Sequence, residues 1–343
     1  TPLVLVANGG DGSISSFRLV DRALERLAVT EGLTGTSTFV LDPERDIVYA
    51  GVKGSVPGQP PGILSLDLDR ETGALTPRTR LDLVGGGMNY LALTRDGSAL
   101  LGVSYGGGSG IICPIVDGVV GEPVSRIEFA NLHSVLPSRD GRFAYFVSLG
   151  DDLIAQYAIG DDLQLLPLDP PTVAAPAGSG PRHLVLNGAE DAVYVLTEFS
   201  GEILHYARDA ESGVLTYVGA ADVVNPAHEL GHSVFGADPM VNHYIWGADL
   251  HFGAGGQYLW SSERTESTLS AAAVAADGTV APAASFIVTE PQPRGFVVSA
   301  DGAWLVASGE RSQTVTLYAV NGDQLELLQQ VETGGGANWV RFV

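Results

Sequence analysis

Residues 89–105, NYLALTRDGSALLGVSY, show the unit from which this chain is built. A short apolar run, an Asp-Gly turn and a second apolar run predict two antiparallel strands joined by a hairpin. The unit recurs at intervals of about 44 to 54 residues, with one gap of about 65. The other copies are STFVLDPERDIVYAGVK (37–53), HSVLPSRDGRFAYFVSL (133–149), RHLVLNGAEDAVYVLTE (182–198), ADLHFGAGGQYLWSSER (248–264), RGFVVSADGAWLVASGE (294–310) and a split copy of NWVRFV (338–343) with LVLVANG (3–9).

A further strand and turn follow each pair, as in GILSLDLDRETGALTP (62–77). Short strands at this period, about four to a repeat, predict an all-β, seven-bladed β-propeller. The split copy predicts that the N- and C-terminal strands share one blade and close the ring. We therefore expect a single domain over residues 1–343, with an inter-blade insertion around 221–246.

Composition limits the function classes. The chain has 343 residues, 45% of them hydrophobic, and a net charge of −22, which would repel nucleic acid and anionic membranes. There is no apolar stretch of 18 residues and no signal peptide, so a cytoplasmic monomer or small homo-oligomer is expected. Cys113, the only cysteine, lies in an apolar run, which is typical of a buried structural thiol.

In a propeller, the first strand of each blade starts, and the second ends, at the same mouth of the central channel. Aligning the copies gives the residues at both positions. The first position holds Ser37, Asn89, His133, Arg182, Ala248 (with Asp249 beside it), Arg294 and Asn338, and the second holds Asn8, Lys53, Tyr105, Leu149, Glu198, Arg264 and Glu310.

Polar strand ends are common at wet channels, and most of these residues need no catalytic explanation. The exception is a set of three arginines, a histidine and a carboxylate at one mouth of a chain with only 18 basic residues. A basic cluster inside an acidic protein suits an anionic substrate or a developing oxyanion. This set is His133, Arg182, Glu198, Arg264 and Arg294.

The segments GPRHLVLNGAEDAVYVLTEF (180–199), HSVLPSRDGRFAYF (133–146) and PRGFVVSADGAWL (293–305) are similar to the seven-bladed propeller lactonase family. This family includes cycloisomerase-like 6-phosphogluconolactonases and 3-carboxy-cis,cis-muconate lactonizing enzymes. The resemblance covers nearly the whole chain. It implies catalytic roles for His133, Arg182, Glu198 and Arg264, the residues that the blade alignment also selects. The candidates for substrate contact are His183, Asp249, Arg294, Tyr105, Glu310 and Asn338.

The chain departs from the family pattern at several positions. Asn131 stands where a second histidine is common, and Glu263 precedes Arg264 where asparagine is usual. The third blade has GMNYL where GPCHL is common, so Asn89 replaces a possible polar partner. These changes keep the reaction type and leave the substrate open.

The insertion contains AHELGHSVF (227–235), which includes the H-E-x-x-H pattern of zinc proteases. Pro226 and Gly231 leave room for two helical turns at most, whereas that motif needs a longer helix. We expect a loop over the channel mouth that shapes a substrate pocket. The histidines between His228 and His251 leave a non-proteolytic metal site as an alternative.

The predicted function is hydrolysis of a sugar lactone, of the 6-phosphogluconolactone or gluconolactone type, to the open acid. Arg182 and Arg264 would stabilise the oxyanion or a substrate anion, and either Glu198 or His133 would be the base. The scheme needs no metal or organic cofactor. Two alternatives stay open: lactonization of a carboxymuconate-like dicarboxylate at the same residues, and a non-catalytic propeller that binds partners on its rim.

Overall fold

The computed structural model describes residues 2–343 and is built almost wholly of antiparallel strands in seven sheets. The seven-bladed propeller prediction is confirmed. Blade 1 begins with β1 (Leu3–Asn8), β2 (Ser13–Val20) and β3 (Ala23–Thr30); blade 2 has β4 (Phe39–Asp42), β5 (Ile47–Val52), β6 (Gly62–Leu68) and β7 (Leu75–Asp82); blade 3 has β8 (Tyr90–Leu93), β9 (Ala99–Ser104), β10 (Ser109–Val116), β11 (Val119–Val120) and β12 (Ser125–Glu128).

The remaining blades follow in chain order. Blade 4 has β13 (Leu132–Pro137), β14 (Phe143–Ser148), β15 (Leu153–Ile159) and β16 (Leu165–Ala174); blade 5 has β17 (Pro181–Leu186), β18 (Ala192–Thr197), β19 (Glu202–Arg208) and β20 (Leu215–Asp222); blade 6 has β21 (Gly247–Phe252), β22 (Tyr258–Glu263), β23 (Thr268–Ala273) and β24 (Ser285–Val288); blade 7 has β25 (Phe296–Val298), β26 (Trp304–Ser308), β27 (Thr314–Asn321) and β28 (Gln324–Glu332); and β29 (Ala337–Phe342) returns to blade 1.

The ring closes through the two chain ends. β29 pairs antiparallel with β1, with Val4 opposite Phe342 and Val6 opposite Val340, and thus becomes the innermost strand of blade 1. The indole Nε1 of Trp339 donates to the Phe39 carbonyl of blade 2 at 2.9 Å. The innermost strand of one blade is thereby held to that of the next, and the sheet that contains both termini has the same strand order as the others.

The centre of the ring is filled by aromatic rings. His183 makes edge contacts with Tyr90 of blade 3 at 5.1 Å, with His133 of blade 4 at 5.2 Å and with Trp339 of blade 1 at 6.3 Å between ring centroids. Burial raises the pKa of Tyr90 to about 12. Side chains from four blades therefore pack together in the channel and lie between its two mouths.

The insertion between β20 and β21 is mostly loop. It contains a short 3-10 helix, Pro226–His228, and a single-turn helix, α1 (Pro239–Asn242), whose first peptide groups are capped by Asp238. Glu229 has a φ of 51°, so H-E-x-x-H has no helical geometry. Among residues 2–343, no helix has the length and apolar character that a membrane span requires.

Closure of the ring predicts a stability effect at Leu5. This side chain is 0% exposed and lies in the buried cluster that also contains Phe39 and Trp339. Leu5→Ala should lower the free energy of unfolding by about 2–5 kcal/mol, because it removes buried methyl groups and leaves a cavity. Urea unfolding measures the loss. Leu327→Ala, at a side chain 61% exposed, is the control and should change it by less than about 0.5 kcal/mol. Equal effects of the two substitutions would contradict the prediction.

Candidate active site

Three neighbouring blades, like blade 1 at Asn338, are irregular at one mouth of the channel. The pairing of the first strand with the second shifts at His133 in blade 4, at Arg182 in blade 5, and at Ala248 and Asp249 in blade 6. Each shift is a β-bulge, which kinks the strand and redirects the side chain of the extra residue. Blades 4, 5 and 6 thus depart from regular pairing where the sequence predicts the site.

The bulge of blade 5 brings Arg182 to Glu198, and blade 6 adds Arg264. The Arg182 Nε donates to Glu198 Oε1 at 3.1 Å, and the Arg264 Nη2 donates to the same oxygen at 2.9 Å. The arginine side chains are 1% and 5% exposed, and that of Glu198 is 16% exposed. We call these three residues the charged cluster. It joins two cations to one carboxylate across two blades.

Each member of the charged cluster keeps a free polar atom. Glu198 Oε2, Arg182 Nη2 and Arg264 Nη1 have no hydrogen-bond partner among residues 2–343. These three atoms are also not fully buried. One carboxylate oxygen and two guanidinium nitrogens therefore remain open to solvent. The cluster thus offers one oxygen that can accept a hydrogen bond and two nitrogens that can donate one.

Arg182 is held from behind by a hydrogen-bonded chain. Its Nη1 donates to the Ala248 carbonyl at 2.5 Å and lies 3.2 Å from His183 Nε2, while His183 Nδ1 lies 2.9 Å from Asp249 Oδ1. A guanidinium can only donate and a carboxylate can only accept, so His183 carries its proton on Nδ1. The second oxygen of Asp249 contacts His251 Nε2 at 2.9 Å.

Burial and the Arg264 charge lower the pKa of Arg182 to about 9, and burial with the Arg182 charge lowers the pKa of His183 to about 3. Burial opposes ionisation of Asp249, but His251 and the hydrogen bond from His183 hold its pKa well below the usual value. His183 is therefore neutral, and Asp249 is ionised, at physiological pH.

His133 lies beside the charged cluster with one ring nitrogen unpaired. Its Nδ1 is buried without a partner, and its ring contacts Tyr105 at 5.5 Å between centroids. Burial, followed by the Arg182 charge and the neighbouring His183, holds the pKa of His133 well below 6.5. The imidazole is consequently neutral at physiological pH. Asn89 fixes the strand, because its Nδ2 donates to the His133 carbonyl at 3.2 Å.

Two further contacts complete this mouth. The Arg264 guanidinium lies over the Trp246 ring, 4.2 Å from its centroid, and its Nη2 also donates to the Gly247 carbonyl at 2.9 Å. The Arg294 Nη1 donates to Glu310 Oε2 at 3.3 Å. Burial lowers the pKa of Arg264, and the Arg294 charge holds the pKa of Glu310 below its usual value although burial opposes this.

A cavity of 710 Å³ opens at the same mouth, toward blades 1, 2 and 3. Of the predicted substrate contacts, Tyr105, Arg294, Glu310 and Asn338 line it. Tyr105 connects the cavity with the charged cluster, because its ring contacts His133 at 5.5 Å between centroids, and burial and the nearby Glu198 carboxylate raise the pKa of Tyr105. A larger depression of 1030 Å³ lies at the opposite end of blades 5 and 6, and none of the predicted site residues lines it.

The structure places other predicted residues elsewhere. His183 and Asp249 are 4% and 3% exposed and lie behind Arg182 rather than in the cavity wall. The insertion does not line the 710 Å³ cavity; its residues 232–235 cover a hollow of 160 Å³ beside Leu149 and Phe199. Sequence analysis missed Trp246, which no repeat position marks, and the glycine-rich cavity wall, for which the triplet Gly85–Gly87 was an available signal.

The histidines of the insertion are separated by their contacts. His232 Nδ1 lies 2.6 Å from the Ser233 carbonyl, and His243 Nε2 lies 2.9 Å from the His228 carbonyl. His251 contacts Asp249 instead. Within residues 2–343, no group of three or more His, Cys, Asp or Glu side chains is arranged to hold a metal ion.

These features define a β-propeller with a charged cluster of two arginines and a glutamate at one mouth of its channel. The family model described as Lactonase, 7-bladed beta-propeller matches residues 5–342, and the chain belongs to this family, as the sequence resemblance predicted. A 6-phosphogluconolactonase of Sodalis glossinidius is 31% identical over 343 residues, covering 98% of both chains. One of Pectobacterium carotovorum is 30% identical over 306 residues, covering 88% of this chain and 86% of the relative.

The structure of a periplasmic gluconolactonase from Pseudomonas aeruginosa has the same fold. Its TM-score is 0.86 at 22% identity, over 100% of this chain and 99% of that one.

The lowered pKa of His183 predicts a pH dependence of stability. Between pH 6.5 and about 3 the unfolded chain binds a proton at this residue and the folded chain does not. The contribution is therefore fully present above pH 6.5 and is lost as the pH falls, by about 1.4 kcal/mol per pH unit. His183→Gln should reduce the slope of the free energy of unfolding against pH by about this amount between pH 6 and 4.5. Urea unfolding at several pH values measures the slope.

The matched control is His243→Gln, at an exposed position of the insertion. An unchanged slope in His183→Gln would show that His183 titrates alike in the folded and unfolded chains.

Proposed function

We propose that this chain is a lactonase that hydrolyses a sugar lactone to the open acid at the charged cluster. The observation that carries the proposal is that Arg182 and Arg264 share one oxygen of Glu198 while the other oxygen and one nitrogen of each arginine stay free. Water attack on a lactone carbonyl requires a proton acceptor and donors for the developing oxyanion. The cluster has both within one group of contacts.

In the proposed reaction, Glu198 Oε2 takes a proton from water as the water oxygen bonds to the lactone carbonyl carbon. The carbonyl oxygen becomes an oxyanion and accepts hydrogen bonds from Arg182 Nη2 and Arg264 Nη1. When the tetrahedral intermediate collapses, the bond from carbon to the ring oxygen breaks, and the proton on Glu198 passes to that oxygen. The products are the carboxylic acid and a free hydroxyl group, so atoms and charge balance.

Between the two bases that the sequence left open, Glu198 is the better supported. The low pKa of His133 makes its imidazole a weak proton acceptor at neutral pH. Its buried Nδ1 has no acceptor, so the less costly tautomer carries the proton on Nε2. His133 would then donate a hydrogen bond to the substrate, and His183 and Asp249 would position Arg182.

The substrate class comes from the relatives. Two proteins at least 30% identical to this chain are named 6-phosphogluconolactonase. A sugar lactone is also compatible with the 710 Å³ cavity, whose lining supplies amide, hydroxyl and peptide groups for the sugar hydroxyls. The lactonizing alternative has less support, because the relatives at least 30% identical to this chain are named for a lactonase activity.

Location and assembly remain proposals. The cytoplasmic location predicted from the sequence has a counterexample in the periplasmic gluconolactonase of the same fold. Cell fractionation tests the location, and light scattering tests the expected monomer or small homo-oligomer.

The test is proton release from glucono-δ-lactone and 6-phosphoglucono-δ-lactone near neutral pH. The protein should accelerate hydrolysis of at least one of them above the spontaneous rate. Arg182→Ala should lower kcat/KM by about 10²–10³, because an oxyanion donor is lost. Glu198→Gln, which keeps the shape but cannot take a proton, should lower it by about 10²–10⁴.

Arg139→Ala and Glu211→Gln make the same changes of charge at exposed positions, in turns at the opposite end of blades 4 and 5. Both variants should keep wild-type kcat/KM. No acceleration on either lactone, or full activity in Glu198→Gln, would refute the mechanism. Turnover of a muconolactone instead would favour the lactonizing alternative.

A further inference from the structure

The 710 Å³ cavity at the channel mouth is lined mostly by peptide backbone on the side of blades 1, 2 and 3. Ten of the lining residues are glycines, contributed largely by blades 1, 2 and 3. A wall without side chains lets a ligand approach the peptide groups closely.

Lys53 is the one cation of the cavity lining without an ionic partner. The other, Arg294, is paired with Glu310 at 3.3 Å. Lys53 makes no salt bridge and no side-chain hydrogen bond within residues 2–343. It is also the only lysine of a chain with a net charge of −22. An unpaired ammonium group in such a protein makes this part of the cavity locally attractive to anions.

The position of Lys53 depends on Gly35. A Cβ on Gly35, whose φ is 63°, would lie 2.7 Å from Lys53 Cδ, so the lysine stem lies against the bare backbone of Gly35. Lys53 itself is exposed, and its stem lies along the cavity wall at Gly35 while the ammonium group reaches solvent.

The loop Gly85–Gly87 supplies donors on the same wall. The peptide N–H groups of its three residues have no acceptor within residues 2–343. Gly86 has a φ of 127°, and a Cβ there would lie 2.5 Å from Ser104 Oγ, so only glycine fits this backbone. Successive free peptide N–H groups in such a loop are suited to binding anionic oxygens.

We propose that Lys53 and the loop Gly85–Gly87 form an anion subsite that binds the phosphate of a phosphorylated sugar lactone and selects it over the unphosphorylated one. In 6-phosphoglucono-δ-lactone, five bonds through the ring oxygen join the carbonyl carbon to the phosphorus, so the phosphate of a lactone bound at the charged cluster would lie in the adjoining cavity. The inference rests on the proposed lactonase function of the same mouth.

The experiment compares kcat/KM for 6-phosphoglucono-δ-lactone and glucono-δ-lactone in the wild type, Lys53→Gln and Lys53→Arg. The wild type should prefer the phosphorylated lactone. Lys53→Gln should lower that preference by about tenfold or more, through KM, because a charge-assisted contact with phosphate is lost. The rate on glucono-δ-lactone should change by less than about twofold, and Lys53→Arg should retain most of the preference.

Arg70→Gln is the matched control, because it removes one positive charge from the outer turn of the same blade, where Arg70 pairs with Asp46. It should leave the preference unchanged. Calorimetric binding of 6-phosphogluconate and gluconate gives a second measurement that does not need turnover. Lys53→Gln should weaken binding of the phosphorylated acid alone.

The outcomes separate the two proposals. Glucono-δ-lactone hydrolysis with an unchanged preference in Lys53→Gln, or a wild type without preference, would overturn the subsite and keep the lactonase function. Failure to hydrolyse either lactone would overturn the proposed function. Binding of 6-phosphogluconate and gluconate to the wild type and Lys53→Gln would then test the subsite by itself.

Discussion

The site depends on one hydrogen-bonded arrangement, in which two guanidinium groups from different blades donate to the same oxygen of Glu198. Two buried arginines side by side would repel each other, and the carboxylate between them offsets part of that cost. Because only one of its oxygens is used, the other stays available for chemistry. The same contacts hold blade 5 to blade 6 at the channel mouth, so the hydrogen bonds that form the site also stabilise the junction between the two blades.

The arrangement requires a departure from regular strand pairing. A regular strand directs alternate side chains to opposite faces of the sheet. A strand with one register therefore cannot both pack its apolar residues in the blade and direct the required polar residue to the mouth. The bulges at His133, Arg182 and Asp249 add a residue at the start of the innermost strand. The rest of each strand keeps its register with the core, while the extra residue is free to face the mouth or to support a neighbour.

Sequence reasoning could predict the fold because the fold is periodic. Each hairpin has an apolar strand, a turn and a second apolar strand, and the Asp-Gly turns have the left-handed glycine that they require, as at Gly97 and Gly302. The repeat also predicts which residues lie at the strand ends. Ring closure by β29 and β1 followed from the split copy alone.

What the repeat could not predict is the direction of each side chain. His183 follows Arg182 in the chain and was expected to contact substrate, yet it lies in the channel among aromatic rings. Its direction is set by a bulge and by tertiary partners such as Asp249, 66 positions away in the sequence. Trp246 lies in the insertion, outside every repeat, and its stacking on Arg264 depends on the folded loop.

The charge balance of the cluster suggests why it would favour a transition state over a ground state. Two guanidinium groups face one carboxylate, which leaves one positive charge unmatched in a largely buried site. A neutral lactone carbonyl meets that charge only as a dipole, whereas the oxyanion formed by water attack meets it as a full charge. In the proposed reaction, proton transfer to Glu198 also removes the charge that the two arginines had shared, so both guanidinium groups become available to the oxyanion as it forms. The donors are already in place and need not reorganise, which is the condition under which electrostatic stabilisation contributes most to the rate.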